Sequence, residues 1–266
     1  MLHYQIYENN NAKDWIVFVH GMGGNYSIFY KQIIFFKKHY NLLFVDLHGH
    51  GYTKLGLKDL AECSFKTISE DVVKVLDHLK IKKAHFMGIS LGTIIINTIN
   101  NNFSERVKSM VLGGAVTNIT LYSRILMEIG YSIKYFLPYM SLYKLCAWII
   151  MPKKRHRVSR QVFTREAYKL GRTEFFKWIK ILRKIGISED TKILNKTNKR
   201  LYIMGSEDYM FLPIIKDEIK KDKNANIHII NKCGHVCNIE SPQEFNRVSL
   251  NFFNNIKEET AQEIAG

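Results

Sequence analysis

The chain has 266 residues, of which 46% are hydrophobic and 12% aromatic, so a disordered or fibrous protein is excluded. This length accommodates one large α/β domain with a sizeable core, or two small domains. The net charge of +15 accompanies lysines that are spread along the whole chain. That distribution favours a generally positive surface over a nucleic-acid interface, and we predict no nucleic-acid partner.

The sequence gives no sign of a leader or of a membrane span. Residues 1–11 lack a basic segment followed by an apolar core. No apolar run approaches the ~20 residues that cross a bilayer. We therefore expect a soluble, cytoplasmic protein without stable membrane insertion.

The first half of the chain alternates between strand and helix signals. Continuous or alternating apolar runs predict strands, and amphipathic runs predict helices. The predicted strands are 2–8, 15–19, 42–45, 84–87 and 107–116, and the predicted helices are 27–38, 67–80 and 91–101. This succession predicts an α/β fold with a mostly parallel, doubly wound sheet that carries helices on both faces.

The pattern changes after residue 116. Residues 117–197 contain no strand-like run and are helical and aromatic throughout, whereas strand signals return at 200–204 and 226–230. Helices are predicted near 213–221 and over 242–256. We therefore predict a core domain of residues 1–116 and 198–266, with residues 117–197 inserted between two strands as a helical cap.

A G-x-S-x-G pattern, residues 88–92, lies between a predicted strand and a predicted helix. The turn leaves little room beside Ser90, so Gly88 and Gly92 supply space that a Cβ atom would fill. A serine hydroxyl is a poor nucleophile and needs a base that takes its proton. The sequence therefore has to supply a histidine, an acid and an oxyanion site as well.

Five short motifs in register resemble those of the α/β-hydrolase superfamily, in particular its capped serine hydrolases of the esterase and lipase type. The resemblance covers nearly the whole chain. The motifs are the HG loop at 20–24, the D-x-x-G-x-G turn at 46–51, the G-x-S-x-G elbow at 88–92, the G-x-x-D segment at 205–208 and the Gly-His pair at 234–235.

The resemblance implies a catalytic triad of Ser90, Asp208 and His235, in the family's order along the chain. His235 accepts the proton of Ser90, and Asp208 orients the imidazole. Glu207 is the rival acid, although the family spacing favours Asp208. The backbone N–H groups of Met22 and Leu91 are expected to form the oxyanion hole.

A serine at position 90 disfavours dehalogenase and epoxide hydrolase chemistry, which use aspartate in this fold. We predict a carboxylic ester hydrolase that acts on a small, lipophilic ester. The basic cluster at 153–157 is interpreted as a solvated lid loop, but it leaves open an anionic substrate and a thioesterase, lactonase or C–C hydrolase. A non-catalytic receptor of the same fold is the remaining alternative.

The reaction requires neither a cofactor nor a metal. Cys233, His235 and Cys237 have an unusual spacing for zinc and no second ligand cluster, and the four cysteines are expected to be thiols. Apolar side chains of the cap are expected to bind the substrate, although periodicity does not say which ones face the pocket. The predicted substrate-binding residues are Met22, Leu121, Ile125, Phe136 and Trp148.

Overall fold

A computed structural model of the chain describes residues 1–53, 64–187 and 192–265. The strands are β1 (His3–Tyr7), β2 (Trp15–Val19), β3 (Asn41–Asp46), β4 (Ala84–Ile89), β5 (Val107–Gly113), β6 (Arg200–Gly205) and β7 (Ala225–Ile230). The helices are α1 (Tyr30–Phe36), α2 (Phe65–His78), α3 (Leu91–Asn102), α4 (Leu121–Ser132), α5 (Tyr139–Ile150), α6 (Arg157–Leu182), α7 (Leu212–Ile219), α8 (Cys237–Glu240) and α9 (Pro242–Ala265).

The seven strands form one sheet in the order β1-β3-β2-β4-β5-β6-β7. The edge strand β1 is antiparallel to β3, and the other neighbouring pairs are parallel. The predicted mostly parallel, doubly wound α/β sheet is therefore confirmed. The predicted strand positions agree with the structure to within a few residues, whereas α9 continues nine residues beyond the predicted end at 256.

The helices cover both faces of the sheet because successive side chains of a strand point to opposite sides. In β2, Phe18 belongs to a buried cluster with residues of α1 and α9. Its neighbour Val17 belongs to a second buried cluster, with residues of α2 and α3. A strand that is buried on both faces reads as a continuous apolar run, which is why the sequence located β2 correctly.

The segment between β5 and β6 contains α4, α5 and α6, and no strand lies in its described part. The backbone of α6 is interrupted at Gly171, which has φ 78° and ψ 164°. Residues 188–191 of the predicted insertion lie outside the described residues. The function of this segment as a cap stays a prediction.

Parallel strands bring their carboxyl ends to one edge of the sheet, where ligand sites of such sheets lie. Four of the predicted site residues follow strands at this edge. Met22 follows β2, Ser90 follows β4, Asp208 follows β6 and His235 follows β7.

Candidate active site

Ser90 stands at a strained turn between β4 and α3. Its backbone has φ 52° and ψ −117°, a region that non-glycine residues seldom adopt. A Cβ atom on Gly92 would lie 2.1 Å from the carbonyl oxygen of Val19, so only glycine fits there. The Ser90 N–H donates to the carbonyl oxygen of Gly113 at 3.0 Å, which ties the turn to β5.

The side chains of Ser90, His235 and Asp208 form one chain of hydrogen bonds. The Ser90 Oγ and His235 Nε2 atoms are 2.9 Å apart, and His235 Nδ1 lies 2.8 Å from Asp208 Oδ2. A carboxylate accepts only, so Nδ1–H donates to Asp208 and leaves Nε2 free to accept the serine proton. The structure thus brings together three side chains that lie 27 to 145 positions apart in the sequence.

The histidine loop is held by two close contacts. Gly114 has φ +50°, and a Cβ atom on it would lie 2.1 Å from the His235 carbonyl oxygen. The Gly234 N–H donates to Glu240 Oε2 at 2.7 Å. Both contacts fix the backbone beside His235, so the position of the imidazole does not depend on its side-chain bonds alone.

Glu207 points to a different set of partners from its neighbour Asp208. Lys153 Nζ lies 2.9 Å from Glu207 Oε1, and His156 Nε2 lies 3.0 Å from Oε2. Arg155 adds an ion pair at 3.4 Å. Burial raises the pKa of Glu207, but the hydrogen bonds from Lys153 and His156 outweigh it and hold the pKa below its ordinary 4.5. Its carboxylate therefore links the core to the segment between β5 and β6.

The basic cluster at 153–157 differs from the predicted solvated loop. His156 is fully buried between Glu207 and Glu240, although Lys153 and Arg155 remain exposed at their outer ends. The reason is the buried carboxylate of Glu207, which the sequence pattern did not pair with this cluster. A buried carboxylate requires cationic or hydrogen-bonding partners, and this cluster supplies them.

Two buried histidines support the loop that contains Met22. The Leu47 N–H donates to His20 Nε2 at 3.0 Å, and the Gly23 N–H donates to His50 Nε2 at 2.9 Å. Burial lowers the pKa of both imidazoles, which agrees with neutral rings whose Nε2 atoms accept. Their role in this geometry is to hold the loop.

Of the two predicted oxyanion donors, Leu91 follows Ser90 in the chain and Met22 lines the same pocket as Ser90. Leu91 is the first residue of α3, where a backbone N–H has no partner within the helix. The Met22 N–H makes no hydrogen bond to the described part of the chain. The carbonyl oxygen of Met22 accepts a hydrogen bond from the buried Tyr143 hydroxyl of α5 at 3.0 Å. Two N–H groups are therefore available beside the serine.

A narrow pocket with a cavity volume of about 20 Å³ opens beside Ser90. Met22 lines it together with Ile28, Val236 and Ile239 of the core, and its contact with a substrate stays a prediction. The segment between β5 and β6 contributes Ser159, Val162, Phe163 and Glu166, all from the first half of α6. Sequence reasoning missed these α6 residues because no motif marks them.

Two of the missed residues are polar. The Ser159 hydroxyl is fully buried and has no hydrogen-bond partner in the described residues. The Glu166 carboxylate is buried as well, accepts from Asn25 at 2.7 Å and pairs with Lys169 at 2.8 Å. Helix α6 contains many other charged residues, so its sequence carries no signal that distinguishes Glu166.

The other four predicted substrate-binding residues do not line this pocket. Leu121, Ile125, Phe136 and Trp148 are exposed, at 74%, 49%, 85% and 58% of their side-chain surface. Their placement follows from the orientation of α4 and α5, which present these apolar residues to the outside. The expectation that they contact the substrate therefore has no support in this pocket.

The cysteines near His235 make ordinary contacts. Cys237 Sγ lies 3.3 Å from the Ile203 carbonyl oxygen, and burial raises the pKa of the Cys233 and Cys237 thiols. Cys63 lies outside the described residues. Within the residues that the structure describes, no three His, Cys, Asp or Glu side chains are grouped as metal ligands.

Comparison with known sequences supports the family. The family model for the alpha/beta hydrolase fold matches residues 14–141. The chain is 34% identical over 104 residues to 3-oxoadipate enol-lactonase 1 of Acinetobacter baylyi, a match that spans 39% of this chain and 38% of that protein. It is 23% identical over 261 residues to the putative carbamate hydrolase RutD of Agrobacterium fabrum, covering 94% of this chain and 97% of that protein.

Solved structures share the fold over nearly the whole chain. The enol-lactonase of Burkholderia xenovorans has a TM-score of 0.75 at 20% identity, covering 95% of this chain and 96% of that one. The esterase of Exiguobacterium antarcticum has a TM-score of 0.78 at 16% identity, covering 96% and 95%. At these identities the likeness establishes the fold alone. The chain therefore has the α/β-hydrolase fold, and the family match over residues 14–141 supports a place in the α/β-hydrolase superfamily.

Proposed function

We propose that the protein is a serine hydrolase that cleaves a carboxylic ester with an uncharged, lipophilic acyl group through an acyl-enzyme. The observation that carries the proposal is the hydrogen-bond chain in which Ser90 Oγ lies 2.9 Å from His235 Nε2 and His235 Nδ1 lies 2.8 Å from Asp208 Oδ2. A serine in reach of a base that a third group orients is the arrangement of an activated nucleophile.

In the proposed reaction, Ser90 Oγ attacks the ester carbonyl carbon while His235 Nε2 takes the hydroxyl proton. The Met22 and Leu91 N–H groups donate to the oxyanion, and such donors are typically worth ~3 kcal/mol each in the transition state. The carbon–oxygen bond to the alcohol then breaks, and His235 returns the proton to the leaving alcohol. Water then attacks the acyl carbon while His235 takes its proton. The bond from this carbon to Ser90 Oγ breaks, His235 returns the proton to Ser90, and the carboxylic acid leaves.

The lining of the pocket supports an uncharged acyl group. No lysine or arginine of the described residues lines it, and Glu166 places a carboxylate at its wall. Arg165 and Lys169 already pair with Glu166, so a negatively charged acyl group would find no free cation in this lining, and burying an unpaired charge is unfavourable. The 153–157 cluster does not offset this effect, because Lys153, Arg155 and His156 bind Glu207 and no residue of the cluster lines the pocket.

We also propose that the segment between β5 and β6 acts as a cap. Its helix α6 forms one wall of the pocket, and Tyr143 of α5 binds the Met22 carbonyl oxygen at 3.0 Å. A segment that covers a pocket governs which substrates enter. In this arrangement α6 selects the acyl group, while α5 supports the loop that carries an oxyanion donor.

A fluorophosphonate probe tests the proposed nucleophile directly. We expect the wild-type protein to be labelled, because the probe reacts with an activated serine, and Ser90→Ala to remain unlabelled. A non-catalytic receptor would fail to react in both forms. Turnover of p-nitrophenyl esters of graded chain length then measures the acyl preference. Labelling of Ser90→Ala to the wild-type level would contradict the assignment.

Lactone hydrolysis is the second candidate, and it uses the same groups. It is favoured by two relatives named 3-oxoadipate enol-lactonase. A similar solved structure, named as an N-acyl homoserine lactone degrading enzyme, favours it as well. An acyl homoserine lactone and a linear ester of equal acyl length separate the two reactions. We expect the linear ester to have the higher kcat/KM, and a reversed ranking would assign the protein to lactones.

A further inference from the structure

The helix α4 exposes apolar residues where a surface helix ordinarily exposes polar ones. None of its 12 residues, all of which the structure describes, is buried. Four of its five exposed residues are Leu121, Tyr122, Ile125 and Ile129, with exposures of 74%, 68%, 49% and 52%. A helix that leaves its apolar side in water loses the burial that ordinarily stabilises it.

The polar side of α4 is the side attached to the protein. Arg124 NH2 donates to the Ile185 carbonyl oxygen at 2.7 Å, and Glu128 Oε1 accepts from Arg183 Nε at 2.7 Å. The Arg183 guanidinium also lies 4.3 Å from the centre of the Tyr131 ring. These contacts fix the rotation of the helix about its axis, so Tyr122, Ile125 and Ile129 point away from the protein.

Further exposed apolar residues follow α4 in the chain. Tyr135, Phe136 and Leu137 follow it with exposures of 76%, 85% and 40%, and α5 adds Leu145 and Trp148. Of the 20 large apolar residues that are exposed in the described part of the chain, 14 lie within 117–197. Such a concentration of exposed apolar residues is typical of an interaction surface.

The excess of positive charge lies in the same segment. Cations are spread along the chain, but residues 117–197 contain 17 of the 39 Lys and Arg residues and 5 of the 24 Asp and Glu residues. They therefore carry +12 of the net +15. Residues 121–149 hold three of these cations and one Glu, and the other 14 cations follow in 153–196. Apolar side chains and an excess of cations in one segment match a surface that is negatively charged outside and apolar beneath, which is the surface of an anionic lipid layer.

We propose that the surface of residues 121–149, hereafter the docking surface, binds reversibly to anionic lipid layers. The exposed leucines and isoleucines distinguish this occupant from nucleic acid, because aliphatic side chains do not stack on bases. A second copy of the chain is disfavoured because residues 121–149 hold three cations against one Glu, so two copies of this surface would meet with like charge. None of the helices in the described residues is long and apolar enough to cross a membrane, so the binding is peripheral.

Vesicle sedimentation with the full chain tests the proposal without reference to catalysis. We expect the wild-type protein to sediment with vesicles of equal parts phosphatidylcholine and phosphatidylglycerol, and much less with phosphatidylcholine alone. The double variant Tyr122→Ser/Ile129→Ser is expected to lower the partition coefficient at least about tenfold, which corresponds to ~1.4 kcal/mol. Added salt is expected to weaken binding, because it screens the cationic contribution.

The chain provides a closely matched control. Tyr30 and Ile34 are 64% and 45% exposed on α1, compared with 68% and 52% for Tyr122 and Ile129. Tyr30→Ser/Ile34→Ser is therefore expected to bind vesicles as the wild type does. Equal losses in the two double variants, or no sedimentation of the wild type, would overturn the proposal.

Fluorescence of the unmodified protein gives a second measurement that does not depend on any variant folding. Of the three tryptophans, all in the described part of the chain, Trp148 alone is exposed. Anionic vesicles are expected to shift its emission to shorter wavelength, and lipids with a brominated chain are expected to quench it. An unchanged spectrum would contradict docking through this surface, as would self-association or oligonucleotide binding in its place.

Discussion

The edge of the sheet and the segment between β5 and β6 are built in different ways. At the sheet edge, Ser90, His235 and Asp208 are joined by hydrogen bonds and held by a buried backbone. In the inserted segment, α6 packs against the pocket, whereas α4 has no buried residue at all. The difference separates the groups proposed to carry out the reaction from those proposed to control access and location.

The segment between β5 and β6 itself contains both residues that line the pocket and residues that are exposed. Phe163 of α6 lines the pocket and packs against Tyr143, with ring centres 4.7 Å apart. Phe136 is 85% exposed and lies outside the pocket lining. Two phenylalanines of one segment therefore have different expected roles, although sequence patterns do not distinguish them.

The largest effect is expected at the sheet edge. Ser90→Ala should lower kcat/KM for a p-nitrophenyl ester at least ~10³-fold, because the nucleophile is removed while binding and the oxyanion donors remain. His235→Ala should be about as severe, and the double variant little worse, since the two residues act as one unit. Ser132→Ala, on the exposed side of α4, is the control and should keep wild-type activity. Retention of more than a tenth of wild-type activity in Ser90→Ala would exclude Ser90 as the nucleophile.

The next effect concerns two adjacent carboxylates. Asp208→Asn should cost at least about tenfold more activity than Glu207→Gln, because an amide cannot hold the imidazole in the required tautomer. Glu207 contacts the 153–157 cluster instead of His235, so its amide variant should retain most of kcat. Steady-state kinetics of both variants measures the ranking. The opposite order would identify Glu207, and not Asp208, as the acid that orients His235.

A smaller effect is expected inside the inserted segment. Phe163→Ala enlarges the pocket. The ratio of kcat/KM for long and short acyl esters should therefore change several-fold, roughly the discrimination that one or more methylene groups in a hydrophobic pocket provide. Phe136→Ala should leave this ratio within about twofold of wild type, since it removes no contact in the pocket. Equal shifts in both variants would show that the exposed helices also reach the substrate.

The smallest effect is a dependence of stability on pH. In the folded protein the pKa of Glu207 lies below its ordinary 4.5. The contribution of Glu207 to the free energy of unfolding is therefore fully present above pH 4.5 and is lost as the pH falls through the folded pKa. Between about pH 6 and pH 3, the Tm of wild type should therefore fall about 2 °C more than that of Glu207→Gln. Glu105→Gln, an exposed matched substitution, should behave as wild type, and parallel curves for all three proteins would exclude the ion-pair role.

Much of the fold and of the candidate site was predictable because its determinants are local. Apolar runs marked the buried strands, and glycines beside Ser90 marked a turn that tolerates no side chain there. The resemblance to the α/β-hydrolase superfamily implied that Ser90, Asp208 and His235 form a triad, and their side chains meet at the carboxyl edge of the sheet. The acid was ambiguous, because Glu207 and Asp208 are neighbours and their partners come from distant segments.

The sequence by itself thus determined the strand positions, the Ser90 turn and the charge of the inserted segment. Only the tertiary structure decided which residues of that segment meet the pocket. Helices α4 and α5 have apolar residues on more than one side, so periodicity does not select the buried side. Contacts of Arg124 and Glu128 with residues 183–185 turn the apolar side of α4 outward, while α6 brings Ser159 and Phe163 to Ser90. Such contacts join residues about 55 or more positions apart, and no local pattern records them.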